Sequence, residues 1–355
     1  MGHRTDLSRR DFLKATGMAL GTSSLVGIGP LVKATALAAE AKVPVGIARG
    51  ETVGGAVQKA VELAGGMEFV QRGQTVLVKP NVNTGDAYPA STNPEVLYEI
   101  IKLVWEQDPK RVIVGDRCMF RRNTLEEMKR AGIDQATHDA KAELVTFDDM
   151  KWKLMNPAKS VNWQNGYHVA EIVTQVDHVI NVPVTKTHFL AWFTMSIKNF
   201  VGIIHGDDRK TFHSKLGGFR RRGRGQTQAS GQTDQQPKAD YPTFAKMIAE
   251  FGLAVKPSLN IMDGTKAFVS NGPSRGDLVE PKLIVASKDR IATDVTGIGI
   301  LKHYGTEDRL QNHSVWQQPM IAHGISIGLG VSDLSQIALK GDKVPELGEI
   351  RKQMS

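Results

Sequence analysis

Short apolar runs alternate along this chain with longer segments whose apolar positions recur every three to four residues. "VPVGIAR" (43–49), "QTVLVKPN" (74–81), "RVIVGD" (111–116), "AELVTFDD" (142–149) and "HVINVPV" (178–184) read as strands. Between them, "TVGGAVQKAVELAGG" (52–66), "NPEVLYEIIKLVWEQ" (93–107) and "TLEEMKRAG" (124–132) read as helices. Pro94 suits the first position of the second, and Gly132 closes the third. Further on, the pattern predicts a helix over 241–255, strands over 258–262 and 282–286, and a helix from about Asp289 to Tyr304 with Asp289 as its N-cap. A last short strand lies at "SQIALKG". This rhythm predicts an α/β fold, a mostly parallel or mixed sheet flanked by helices, in a single domain over residues 39–355. Two stretches break it. Residues 150–177, with Trp152 and Trp163, read as an irregular insertion. Residues 214–240, rich in Gly, Gln, Ser and Arg, cannot bury enough apolar area to order themselves and read as a mobile, disordered basic loop.

In parallel sheets, ligands sit at the carboxyl ends of the strands. Lys79, Asn81 and Asn83 fall there after one predicted strand, Asp116 after another, Lys186 and His188 after a third, and Asp263 after a fourth. Pro80 keeps Lys79 extended, so Lys79 and the two asparagines are expected to project into the crevice. A lysine beside amide donors suits a phosphate or carboxylate. The competing interpretation is a turn-forming Asn/Gly segment with a solvated lysine. In "VPVTKTHFLAWFTMSIKNF", a helix starting near Phe193–Thr194 puts Lys198 and Asn199 about one turn in. Its free N–H groups would then favour an anion. Two lysines and a histidine beside "FLAWF" are costly to bury without an opposite charge, which is either a bound anion or a carboxylate of the protein itself. His188 fits a general acid or base, and fits a structural histidine equally. As an enzyme, the chain would use Lys186 and its fellow lysines to stabilise developing negative charge, and Asp263 to orient a lysine or ligate a metal. His205 and His213 flank "GDDRKTF". With Asp207 and Asp208 between them they form a divalent-metal alternative, Asp263 being a separate candidate ligand, and against it stands a solvated loop.

Charge and cysteine usage narrow the picture. "SRRDFLK", with Arg9, Arg10, Phe12 and Leu13, then "ATGMALGTSSLVGIGPLV" and "KATALAAEA" have the three-part layout of a twin-arginine export signal. Cleavage is expected after Ala38, the twin-arginine translocase is the expected partner, and the product is expected in the periplasm or cell envelope. The apolar run, broken by Pro30, is too short for a stable membrane span. Loss of residues 1–38 removes five basic and two acidic side chains, taking the formal net charge from +8 to +5. Much of the remainder sits in "FRRRGRG" (219–225), so the body is not basic all over and nucleic acid is not an expected partner. That arginine-rich loop reads as solvated rather than as a binding arm. Cys118 is the only cysteine, so there is no intramolecular disulfide and no Cys-ligated iron–sulfur cluster; it reads as inert.

The strings "VLVKPNVN…STNPEVL", "RVIVGD", "DHVINVPVTKTH", "SIKNFVGII", "LNIMDG…NGPSRG" and "ASKDRIATDVTG" occur in one order. Together they resemble the domain-of-unknown-function family 362 over roughly residues 43–345. The resemblance implies no particular reaction. Many members of that family carry ferredoxin-like cysteine motifs, which this chain lacks, so no electron-transfer role carries over. The expectation is an exported α/β protein that binds a small anion in a Lys/His/Asn cleft, as an enzyme or otherwise. The alternatives are a binding module without chemistry and an assembly protein for a redox enzyme.

Overall fold

Each strand that alternates apolar residues toward two helical layers must present one face to each layer, and the sheet here does so along its length. A computed structural model of the chain describes residues 41–215 and 240–355. The strands are β1 (Val43–Ala48), β2 (Thr75–Lys79), β3 (Arg111–Asp116), β4 (Glu143–Thr146), β5 (Trp152–Met155), β6 (Tyr167–Ala170), β7 (His178–Asn181), β8 (Val184–His188), β9 (Trp192–Thr194), β10 (Leu259–Phe268), β11 (Leu278–Val279), β12 (Leu283–Ser287) and β13 (Ile337–Asp342). The helices are α1 (Val53–Leu63), α2 (Pro94–Trp105), α3 (Thr124–Arg130), α4 (Ile133–Asp139), α5 (Ser196–Asn199), α6 (Gly206–Ser214), α7 (Tyr241–Glu250), α8 (Arg290–His303), α9 (Asp308–Gln311), α10 (Pro319–Ser326) and α11 (Leu347–Gln353).

The main sheet runs β13-β1-β12-β10-β7-β2-β3-β4. Strands β10, β7, β2, β3 and β4 are mutually parallel, β12 is antiparallel to both its neighbours, and β1 pairs parallel with β13. The fold is therefore α/β with a large, mostly parallel sheet flanked by helices. One face packs Val78, Ile180 and Ile261 against Val57 and Ala60 of α1 and Ile100 of α2. The other packs Leu77, Val179, Met262 and Val285 against Val295 and Ile298 of α8 and Ile197 of α5.

Helix starts follow their caps. Asn93 and Asn123 accept from the second or third N–H of α2 and α3. Asp289 caps α8, its Oδ1 2.8 Å from Ala292 N, while its Oδ2 accepts from Val331 N.

Three local readings change. The segment after Val184 does not turn directly into a helix. It forms the β8–β9 hairpin, with His188 paired to Trp192 and Trp192 in the left-handed region at φ 70°. The helix α5 starts at Ser196, two residues beyond the expected start. "GDDRKTF" is helical, as part of α6, with Arg209 and Phe212 turned inward. The insertion over 150–177 carries its own antiparallel ribbon, β5–β6. Residues 1–38, including Arg9, Arg10, Phe12 and Leu13, and the arginine-rich 219–225 lie outside the described residues.

One layer of the sheet is polar. Lys79 is level with Asn181, Asn181 with Asn260, and Asn260 with Ser287, across four adjacent strands. All four are fully buried. Each lies two positions along its strand from Leu77, Val179, Met262 or Val285, so this row faces the α5–α8 side.

Candidate functional site

Buried polar groups need partners, and tracing those partners builds the site. Lys79 ends β2 and Asp116 ends the neighbouring β3. Their Nζ and Oδ1 lie 2.8 Å apart with both side chains buried. Asp116 also accepts from Arg117 N at 2.8 Å and Val82 N at 2.9 Å, while Lys79 donates to Pro80 O at 2.9 Å. Burial pushes the carboxyl up and the ammonium down, and each charge opposes the other's shift. Gly202 lies directly against this pair. A Cβ there would come within 1.9 Å of Asp116 Oδ1 and 2.6 Å of Lys79 Nζ, so no larger residue fits without displacing it.

Lys186, fully buried on β8, donates to Asn81 Oδ1 at 2.9 Å, to Pro89 O at 3.3 Å and to Ala90 O. Three donors meet three neutral acceptors. Burial first, and then the charge of Lys198, bring this ammonium down to about 7.

From Asn81 an amide chain crosses the polar row. Asn81 Nδ2 donates to Asn199 Oδ1 at 3.0 Å, and Asn199 Nδ2 donates to Asn181 Oδ1 at 2.8 Å. Asn181 Nδ2 donates to Asn260 Oδ1 and to Ser196 Oγ, each at 3.0 Å, and Asn260 Nδ2 reaches Ser287 O at 3.0 Å. Satisfied from end to end, such a chain fixes β2, β7, β10, β12 and α5 in one register. Asn181, Asn260 and Ser196 were not singled out from the sequence. Isolated asparagines in apolar strands give no signal until strand register sets them side by side.

The N-terminus of α5 is not an open anion site. Asp294, from α8, accepts from Ser196 N at 2.6 Å and Ile197 N at 3.0 Å. The free N–H groups expected to face a ligand are filled by the protein's own carboxylate, which burial raises to about 7.

Lys198 is not held in this way. It is half-buried on α5, and among the described residues its ammonium has no hydrogen-bond or ion-pair partner. Burial, then Arg209, then Lys79 hold it down to about 8. Arg209, buried on α6, spends its guanidinium on the carbonyls of Ile204, Arg117 and Cys118. Of Lys79, Lys186, Lys198 and Arg209, only Lys79 pairs with a carboxylate among the described residues.

His188 ends β8. Its Nδ1 accepts from Leu190 N and Ala191 N, each at 3.1 Å, and its ring stacks on Phe189 at 5.3 Å. Burial, then Lys198, Lys186, His213 and Arg309, keep it well below the usual imidazole range, so the ring is neutral. His213 ends α6, with Nδ1 2.7 Å from Arg209 O and its ring edge-on to Phe120 and Phe244. Burial lowers it as well, with further lowering from Lys198 and Arg209. The half-buried Asn83 has no side-chain hydrogen bond among the described residues, and its carbonyl accepts from Met119 N at 2.9 Å.

Asp263 does not serve the lysines. Its Oδ1 accepts from Tyr88 Oη at 2.9 Å and from Thr265 N and Oγ1 at 2.8 and 2.9 Å, all neutral donors. Its buried Oδ2 has no partner, and burial raises the carboxyl to about 6. The charge that orients a lysine is Asp116, 37 residues from Lys79 in sequence. The metal alternative fails as drawn. His205 accepts from Asp207 N and lies against Trp152 at the start of α6, while His213 sits at its far end. No group of three His, Cys, Asp or Glu able to hold a metal occurs among the described residues. Cys118 is buried against Thr124, and burial pushes its thiol up.

Comparison with known proteins adds three findings. The family model described as Domain of unknown function (DUF362) matches residues 76–299. The thylakoid-associated protein sll1697 of Synechocystis sp. is 30% identical over 247 residues, which is 68% of each chain. Among solved structures, the lactate racemase apoprotein from Thermoanaerobacterium thermosaccharolyticum aligns with a TM-score of 0.38 and 11% identity. It covers 87% of this chain and 85% of that one, and a likeness this low carries nothing about the site.

Proposed function

The chain belongs to the family described as Domain of unknown function (DUF362), and from that premise we propose that it binds a small anion, carboxylate- or phosphate-bearing, at Lys198. The observation that carries this reading is an ammonium without a partner among cations. Lys79 and Lys186 are consumed by internal contacts, Arg209 by carbonyls, and no carboxylate of the protein pairs with Lys198 among the described residues. An unpaired charge in low dielectric is costly, and a bound anion offsets that cost. Lys198 and His188 supply the contacts. Lys79, Asn81, Asn199 and Asp116 hold the surrounding backbone, and Lys186, which no carboxylate offsets among the described residues, adds positive field. As catalysis, that field would stabilise negative charge developing on the ligand. The same field serves a carrier that releases its ligand unchanged, a reading favoured by how fully Lys186 is spent on neutral oxygens. Incubation followed by mass spectrometry of the ligand separates the two.

The test is calorimetry with inorganic phosphate. Lys198→Met is expected to weaken binding at least about tenfold, the loss of one charge-assisted contact. Equal affinity in wild type and variant overturns the reading.

The twin-arginine expectation extends the proposal to location: residues 1–38 deliver the chain to the translocase, and the mature protein acts in the periplasm or cell envelope. Replacing Arg9 and Arg10 by lysine is expected to leave unprocessed chain in the cytoplasm. Continued export of the double variant rejects this.

A further inference from the structure

We propose that His188 and His213 form a hydrogen-bond donor and acceptor pair at the anion site, so that the site selects an oxyanion that also carries an O–H group, a hydroxycarboxylate or a hydrogen phosphate. This rests on the anion reading of Lys198.

A neutral imidazole has one N–H and one lone pair, and the partner of one nitrogen decides the role of the other. His188 Nδ1 faces the backbone N–H groups of Leu190 and Ala191, at 3.1 Å each. Those groups can only donate, so Nδ1 holds the lone pair and the proton sits on Nε2. His213 Nδ1 faces the carbonyl oxygen of Arg209 at 2.7 Å. A carbonyl can only accept, so Nδ1 carries the proton and Nε2 the lone pair. The backbone therefore imposes opposite tautomers on the two rings.

Neither Nε2 has a hydrogen-bond partner among the described residues. The rings and the ammonium lie within electrostatic reach of one another. His188 responds to the charges of Lys198, Lys186 and His213, and His213 responds to that of Lys198. Phe120 and Phe244 pack edge-on against His213, while Phe189 stacks on His188, so both rings are held in place.

A ligand that spans these groups meets two donors, Lys198 Nζ and His188 Nε2–H, and one acceptor, His213 Nε2. Two donors match oxyanion oxygens. The acceptor is satisfied only if the ligand brings a proton of its own. Sulfate and acetate leave it unpaired, whereas hydrogen phosphate and glycolate do not. An acceptor stranded on binding penalises the analogue that lacks the O–H.

The experiment is calorimetry of the full chain at pH 7 and fixed ionic strength with four probes: phosphate, sulfate, glycolate and acetate. The expected result is at least a tenfold preference for phosphate over sulfate or for glycolate over acetate. The pair that discriminates identifies the phosphate or the hydroxycarboxylate as the ligand chemistry. In His213→Phe, which keeps an aromatic ring among Phe120 and Phe244, the preference is expected to fall to parity while binding persists. Equal binding of both members of each pair by wild type overturns the inference and leaves the anion site standing. Binding of none of the four removes both. Nitrogen NMR of ¹⁵N-histidine-labelled wild type checks the premise without any variant. His188 is expected to be protonated at Nε2 and His213 at Nδ1, and any other combination overturns the pairing.

Discussion

Asp294 on α8 closes the N-terminus of α5, its two carboxylate oxygens 2.6 Å from Ser196 N and 3.0 Å from Ile197 N. One carboxylate thereby sets the position of the helix that presents Lys198, and it has a pH signature. Burial raises the Asp294 carboxyl from 3.8 to about 7 in the folded chain. The folded state then binds a proton that the unfolded state releases. The Asp294 contribution to stability is full below about 4, is lost as pH rises toward 7 and is flat above that. In Asp294→Asn, the dependence of the urea midpoint on pH between 4 and 7 is expected to be shallower than in wild type. An unchanged slope counts against Asp294 as its source.

Lys198→Met should separate stability from binding. The ammonium is half-buried and unpaired among the described residues, so methionine removes a charge without stranding a partner. The ligand-free variant is expected to be about 1 kcal/mol or more stable than wild type at pH 7, measured by urea unfolding, even as phosphate binding is lost. A destabilised variant would mean that Lys198 has a partner in the native protein.

Lys79→Met makes the contrasting case. It strands the buried Asp116 carboxylate, which keeps only the N–H groups of Val82 and Arg117. The loss expected is ~3–5 kcal/mol. Lys79→Met with Asp116→Asn should recover part of that loss, a coupling that a double-mutant cycle reads directly. Additive losses would show that the pair is not an energetic unit.

Gly202→Ala tests the packing over that pair. An added Cβ 1.9 Å from Asp116 Oδ1 forces the carboxylate or the helical turn at Phe200–Ile203 to move. The expected cost is about 1–3 kcal/mol. Thermal unfolding within error of wild type would show that the backbone yields freely there.

Much of the fold was legible because periodicity is local. The helices over 53–63, 94–105 and 290–303 and the strands at 43–48, 111–116 and 337–342 lie inside or within a residue or two of the predicted segments. The hairpin β8–β9 was not legible. "HFLAWF" is short and apolar, and a run of that kind suits a strand, a turn or a helix start until β8 pairs with β10. The helix α6 was hidden for the opposite reason, because its polar residues outnumber the three, Gly206, Arg209 and Phe212, that it buries. Asp294 carries no signal in the sequence because its partners lie 97 and 98 positions away.

By itself the sequence determined the order of strands and helices, the Asp289 cap, the exclusion of any thiolate cluster by a single cysteine, and the clustering of lysines, histidines and asparagines at strand ends. It could not determine which of those charges were already spent. Strand register made Lys79, Asn181, Asn260 and Ser287 neighbours, and chain crossings brought Asp116 to Lys79 and Asp294 to α5. Whether a buried charge is satisfied depends on groups distant in sequence that enclose it. Three similar lysines therefore ended with three different fates: Lys79 in an ion pair, Lys186 among neutral oxygens, and Lys198 with no hydrogen-bond or ion-pair partner among the described residues.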